Sequence, residues 1–348
     1  MKGLADESLF RIVHDFLKIY LPKMKKCSEN TIRSYRSTIS ALLDYTAAVC
    51  KEPLAEVSFS QISGSVLTGF LDSIEKSGAS VSTRNQRLQA IRSFFAYAVM
   101  CDPALMIYRN EILKVPAKKN EKKETIDYLT EDALKLLFAQ PDPNTEKGFR
   151  DLFLLLLMYD SAARVQEVAD IRIHDINDNK TPTLLLHGKG AKIRTVPLMD
   201  STIQYFHKYM KIFHPDVNPD SKAPLFYSTR RGEQRALDTS TIRKMILKYG
   251  KQAREACPAI PENIHPHLLR HSRAMHLYQH GMELELISQW LGHAQLGTTL
   301  VYAYADTEQK RKAIEQATSK NSILKKKDAV KRFVISDDDM IRRLYGLK

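Results

Sequence analysis

Apolar positions recur at helical spacing through the first hundred residues. Leu9, Ile12, Val13, Phe16, Leu17 and Tyr20 fall on one stripe, which predicts an amphipathic helix over residues 9–20. A second helix is predicted over 29–50, with Ser28 as its cap and Ile32, Tyr35, Ile39, Leu42 and Leu43 on its buried side. A third is predicted over 64–77, ending at Gly78. A fourth opens at Ser82 and buries Leu88, Ile91, Phe95 and Ala98. The periodicity is lost beyond residue 113. "KVPAKKNEKKETIDY" holds a proline, many lysines and no apolar face, so residues 114–127 read as an exposed linker.

The second half mixes two periods. Thr130 can cap a helix over "EDALKLLFAQ", whose acidic first turn suits the positive end of the helix dipole. Residues 148–170 read as one long apolar helix that contains Arg164. Residues 182–198, "PTLLLHGKGAKIRTVPL", form two extended runs about Gly188-Lys189-Gly190 and predict a β-hairpin. Helices are expected again at about 200–213, 239–256, 267–280, 283–292 and 297–304. The pattern predicts a mainly α fold with a small β-hairpin. It divides into a helical domain at 1–113, the linker at 114–127, a mixed α/β domain at 128–306 and a tail at 307–348. In the tail, Ser336 can cap a last helix with Asp337, Asp338 and Asp339 in its first turn and an apolar strip of Met340, Ile341 and Leu344.

Charge changes the picture. The 348 residues carry a formal net charge of +13, with 19 basic and 13 acidic residues in 1–124 and 34 and 27 in the rest. The excess is shared by both halves, so it is not one basic tail, and it favours a polyanionic partner, nucleic acid first. Candidate DNA contacts in the helical domain are Thr31, Arg33, Tyr35, Arg36, Arg84, Arg87 and Arg92, with Lys118 and Lys119 of the linker. A solvated helix face explains each arginine singly. The four cysteines are widely spaced and read as reduced thiols rather than a disulfide frame or a zinc ribbon. The longest apolar run, 152–159, is too short to span a bilayer, and the first residues lack a secretion signal. A soluble, cytoplasmic protein without a membrane partner is expected.

Four separated pieces carry candidate chemistry. In "SAARVQEVADIRIHDI", Glu167 lies three residues beyond Arg164 and can orient its guanidinium. Lys189 sits at the hairpin tip; "HGKGAK" lacks the Ser/Thr and the spacing of a phosphate-binding loop, so nucleotide binding is rejected. In "HPHLLRHSRAMHLYQHG", His267 and Arg270 share a face. His267 and His271 have zinc-helix spacing, but no Glu follows His267 and no cysteine is near, so no metal is expected. The fourth piece, "LGHAQLGTTLVYAY", carries His293, Tyr302 and Tyr304. The two tyrosines lie about 200° apart on an ideal helix and cannot face one site. Two arginines, a lysine, two histidines and a tyrosine suit attack on a phosphodiester without a metal.

These residues, in this order, resemble the tyrosine recombinase (phage integrase-like) family, from the "NTIRSY" helix to Tyr302. "ARVQE" is similar to the family's first-arginine box, "GKGAKIRTVPL" to its lysine hairpin, "HLLRH" to its His-x-x-Arg box and "LGHAQLGTTLVY" to its final box. The resemblance implies a helical, SAM-like core-binding domain and a catalytic domain that form a C-shaped clamp on DNA. It implies Tyr302 as nucleophile, with Arg164, Lys189, His267, Arg270 and His293 as its catalytic partners and Glu167 in support. Strand exchange through a 3′-phosphotyrosine and a four-way junction would follow, in a tetramer on double-stranded recombination sites, with no cofactor. The sequence departs from the family pattern at Ala163, where glycine is usual, and at Tyr304, where histidine is frequent; the spacing from His293 selects Tyr302. A type IB-like topoisomerase and a non-catalytic DNA-binding regulator are the alternatives. The tail helix is expected either to dock on a neighbouring protomer or to fold back on its own domain.

Overall fold

The computed structural model describes residues 6–120, 127–188, 192–230, 232–292, 297, 299–305 and 311. Two compact units divide the chain between Lys122 and Lys123.

The first unit is helical. α1 (Glu7–Asp15) is capped by the Asp6 carboxylate and passes into a π-helical turn, Phe16–Met24, that accommodates Pro22. α2 (Glu29–Cys50) is capped by Ser28 and α3 (Gly64–Lys76) by Ser63. α4 (Val81–Cys101) starts earlier than expected. Ser80, in extended conformation, accepts from the Thr83 N–H at 3.2 Å, so the cap is Ser80 and not Ser82. α5 (Met106–Lys114) closes the unit. Phe16 is buried in an aromatic cluster with Tyr20, Tyr35, Phe94 and Tyr97, at centroid distances of 5.4–5.7 Å. The fully buried rings, Phe16 and Phe94, each contribute about 2 kcal/mol by leaving water.

Two expectations need correction here. The stretch from 114 is anchored over its first residues: Val115 is buried, and Lys118 pairs with Glu75 at 2.6 Å while its backbone N–H donates to Asn85. Arg84 and Arg92 are what hold it. Arg84 is 2% exposed, faces Glu75 at 3.4 Å and donates to the Pro116 carbonyl; Arg92 donates to the carbonyls of Leu113 and Val115. Their guanidiniums face protein acceptors instead of solvent. Arg33 and Arg36 are exposed, Arg87 and Thr31 are half-buried, and Tyr35 packs on Phe16. Lys119 is exposed. Arg84→Ala should therefore lower stability by about 2 kcal/mol, the cost of losing charge-assisted hydrogen bonds inside the protein while Lys118 still holds Glu75. Arg36→Ala should leave the melting temperature within a degree or two. Thermal melts of the two variants check this contrast.

The second unit surrounds α7 (Glu146–Ser161), which is buried nearly all round. α6 (Glu131–Phe138) packs beside it, capped by Thr130 as expected. The single helix expected over 148–170 is broken. Ala162 takes a left-handed conformation, φ 47°, and α8 (Val165–Ala169) begins afresh with extended Arg164 as its N-cap. The chain turns at Ala162, one residue before the alanine that replaces the usual glycine, and Ala163 stays at negative φ. β1 (Ile176–Asn177), β2 (Thr183–His187) and β3 (Ile193–Pro197) form an antiparallel sheet in that order, with Leu186 opposite Arg194. A second hairpin, β4 (Tyr227–Arg230) and β5 (Glu233–Ala236), was not visible in the sequence pattern. α9 (Asp200–Phe213), α10 (Thr239–Ala256), α11 (Pro266–Gln279), α12 (Leu284–Leu291) and α13 (Leu300–Ala305) complete the unit. Arg273 ties α11 to α7 through Asp160 at 3.1 Å and lies over the Tyr159 and Trp290 rings. The tail helix expected after Ser336 lies outside the described residues.

Candidate active site

The site begins with the break at Ala162. Because α8 restarts there, Arg164 has its backbone N–H unpaired by the helix, and Glu167 satisfies it at 2.8 Å. The other oxygen of the same carboxylate accepts from Arg164 Nη1 at 2.9 Å. Glu167 is buried while the Arg164 side chain is 36% exposed, so the rest of the guanidinium fork faces outward. Arg164 is thus a helix cap and not a residue inside a helix.

Glu167 has a second partner that sequence reasoning missed. Arg194 of β3 holds it with two bonds, at 2.8 and 2.7 Å, and its Nε donates to the Trp290 carbonyl at the end of α12. Burial opposes charge on Glu167, but the two arginines outweigh it and hold the carboxyl down at about 2.

Arg270 of α11 is 4% exposed and donates to the carbonyls of Ala162 and Leu291, both at 2.6 Å. The left-handed turn thus presents its carbonyl to an arginine 108 residues away. Burial, then repulsion by Arg164 and Arg194, brings Arg270 down to about 10, still protonated at neutral pH. Arg164 and Arg194 share the Glu167 carboxylate, and Arg270 lies in its field without touching it, so among the described residues three guanidiniums face one carboxylate. Such an arrangement can take an anion.

Tyr302 is fully buried against Ala162, Ala274, Met275, Ile287 and Leu291. Its hydroxyl lies 2.9 Å from His271 Nδ1. Burial raises the phenol to about 12, against the field of Arg270. His271 is lowered to about 4 by burial and by its cationic neighbours, so it is neutral and the phenol donates to it. His267 is exposed on the same side of α11, its ring centroid 6.5 Å from that of His271, and is lowered by partial burial and by Arg270. The spacing of four that suggested a zinc helix instead leads from His267 to Tyr302. No cluster of metal-ligating side chains occurs among the described residues. Lys189 and His293 lie outside the described residues, as does the side chain of Tyr304.

These shifts set an acid limit. His214, His271 and His276 are all held below 6.5, first by burial. Unfolding therefore takes up protons below that pH, and stability rises with pH. His271 alone accounts for about 2 kcal/mol lost between neutrality and roughly pH 5. Glu167 adds a further loss only between 4.5 and about 2. Melting temperature should fall steadily from pH 7 to 5, and His271→Gln should flatten part of that fall; differential scanning calorimetry measures both.

The family profile "Phage integrase family" matches residues 127–309, and "Phage integrase, N-terminal SAM-like domain" matches 14–100. Tyrosine recombinase XerA of Pyrococcus horikoshii is 30% identical over 297 residues, covering 85% of this chain and 90% of that protein. Tyrosine recombinase XerD of Staphylococcus aureus is 28% identical over 305 residues, covering 88% and 97%. Among solved structures, XerH site-specific recombinase bound to a palindromic difH substrate in a post-cleavage complex superposes with a TM-score of 0.63 at 22% identity, covering 88% of each chain. The broken helix that frees Arg164, the buried Arg270 and Tyr302 all lie within residues 127–309, which the first profile matches. The chain belongs to the phage integrase family of tyrosine recombinases.

Proposed function

We propose that this chain is a site-specific DNA recombinase that cuts and reseals strands through a 3′-phosphotyrosine on Tyr302, with exchange through a four-way junction. The observation that carries this reading is the surplus of positive charge around Glu167, beside a buried phenol. A scissile phosphate supplies the missing anion. Arg164 and Arg270 bind its non-bridging oxygens and stabilise the charge that builds in the pentacovalent transition state. The Tyr302 oxygen bonds to phosphorus while the bond from phosphorus to the 5′-oxygen breaks. The phenol proton passes to a neutral histidine, His267 or His271, and Lys189 protonates the departing oxygen. The phosphoester is conserved, so religation needs no nucleotide, and the positive charge comes from arginines, with no metal written into the reaction.

In this reading the first unit, with Arg33, Arg36, Arg87 and Lys119, follows the phosphate backbone. Arg36→Ala should weaken DNA binding and reduce its logarithmic salt slope by about one. Each unit contacts the duplex, four protomers assemble on two sites, and the tail helix docks on a neighbour. A 333–348 deletion that assembles as cooperatively as the full chain would remove that last part. The relatives named as recombinases favour exchange over simple relaxation. The test is a supercoiled plasmid carrying two copies of the DNA that flanks the coding region, quenched with detergent. A covalent protein–DNA adduct with a free 5′-hydroxyl, and recombinant circles, are expected. Relaxed circles alone would favour a topoisomerase, and no adduct would sink the reading.

A further inference from the structure

We propose that Arg194 is a positioning residue for strand cleavage, which clamps Glu167 and the Trp290 carbonyl and so holds Arg164 and the end of α12 in one register. The inference rests on the proposed phosphotyrosine reaction. Arg194 occupies an inward strand position: Val196, two residues on, is buried, while Ile193 is 60% exposed. An arginine there forgoes most of its hydration, since only 13% of its side chain is exposed. An apolar residue would fill that place at no electrostatic cost, so a buried ion pair is weak evidence for stability as such. What the pair does supply is geometry. Both oxygens of Glu167 are taken by the Arg194 fork, and the same two oxygens carry the Arg164 side chain and backbone N–H. The third bond, Nε to Trp290, fixes the helix that ends at Gly292.

Two glycines leave room for this clamp. Gly292 is left-handed, φ 64°, and a Cβ there would stand 3.0 Å from Arg194 Cδ. A Cβ at Gly188 would stand 3.3 Å from Glu167 Oε1 and 3.2 Å from the Lys192 carbonyl. The hairpin that leads to Lys189 and the helix that leads to His293 therefore close on the clamp from two sides. The Arg194–Glu167 pair links three separate segments of the chain that carry proposed catalytic residues.

The experiment follows adduct formation on the flanking-DNA plasmid by wild type, Arg194→Ala, Arg194→Lys, Glu167→Gln and the double variant R194A/E167Q. Misplacing a reacting group by about 1 Å costs about 100-fold, so Arg194→Ala should slow adduct formation about that much, with DNA affinity kept within about threefold. Arg194→Lys keeps the charge but not the fork, and should remain folded with an intermediate rate. The double variant should be no slower than Glu167→Gln. The charges that face Glu167 come from Arg164 beside it, Arg194 of β3 and Arg270 of α11. Without Arg194 the carboxylate takes a proton at higher pH. The rate of Arg194→Ala relative to wild type should then drop further from pH 8 to pH 5.5, whereas a merely structural role leaves that ratio constant. Should Arg194→Ala fail to fold, Arg194→Lys decides. A wild-type rate in either variant, multiplying losses in the double variant, or a constant ratio overturns the proposal. Inactive wild type takes the recombinase reading down with it, while active wild type and indifferent variants remove Arg194 alone.

Discussion

Tyr302→Phe should give no covalent adduct at any time or enzyme concentration, a loss beyond about 10⁴-fold, while DNA binding is retained. The phenylalanine ring fills the same apolar enclosure of Ala162, Ala274, Met275, Ile287 and Leu291, so the fold has no reason to change. Only the oxygen is removed, together with its bond to His271. That bond is worth about 1 kcal/mol, and its loss leaves one neutral ring nitrogen without a partner. A detergent-stable band from the variant, or its loss in Tyr304→Phe alone, would show that the nucleophile had been misassigned. The buried state of Tyr302 adds a second expectation. A phenol raised to about 12 is almost wholly protonated at neutral pH, so cleavage requires the hydroxyl to lose its proton as it meets phosphorus. His271→Ala should thus separate two roles. A faster reaction means the histidine only restrains the phenol, and a slower one means it accepts the proton.

Periodicity located most helices, and the motifs named candidates of which Arg164, Glu167, Arg270 and Tyr302 come near one another, because both depend on local spacing. Ser28 and Thr130 were legible as caps because one oxygen three residues before an amide suffices. Ser80 and Ser82 offer the same chemistry two residues apart, and only tertiary packing chooses between them. The break at Ala162 was hidden for another reason. No glycine, asparagine or proline marks it, and its carbonyl is satisfied by Arg270 from far along the chain. A left-handed alanine costs roughly 1 kcal/mol, which that contact and the surrounding burial offset. Arg84 shows the opposite limit. Its sequence neighbours are polar, and its burial depends on Glu75 and Pro116, which no local pattern connects. Arg194 was passed over because a lysine hairpin draws attention to its tip. Strand alternation held a signal, since Val196 marks the inward face on which Arg194 also lies.

Arg270→Ala should lower cleavage by about 10³-fold with DNA affinity changed less than about threefold, and Arg164→Ala should do the same. The argument rests on where the charge is needed. In bound DNA the phosphate carries one negative charge, which the many other basic residues of the chain help to hold. In the transition state additional charge gathers on the non-bridging oxygens, within reach only of groups already in the dry site. Removing Arg270 leaves the carbonyls of Ala162 and Leu291 without their donor, which works against folding. It also removes a buried charge that no carboxylate contacts directly, which works in favour. The two effects oppose one another, so the melting temperature should move by only a few degrees. Arg270→Lys should recover little, because one ammonium cannot bridge two carbonyls and still present a fork to phosphate. Anisotropy binding at fixed salt, thermal melts and single-turnover adduct formation separate these contributions. If Arg270→Ala lost affinity and cleavage in equal proportion, the arginine would be binding the ground state, and transition-state stabilisation by this pair would have to be abandoned.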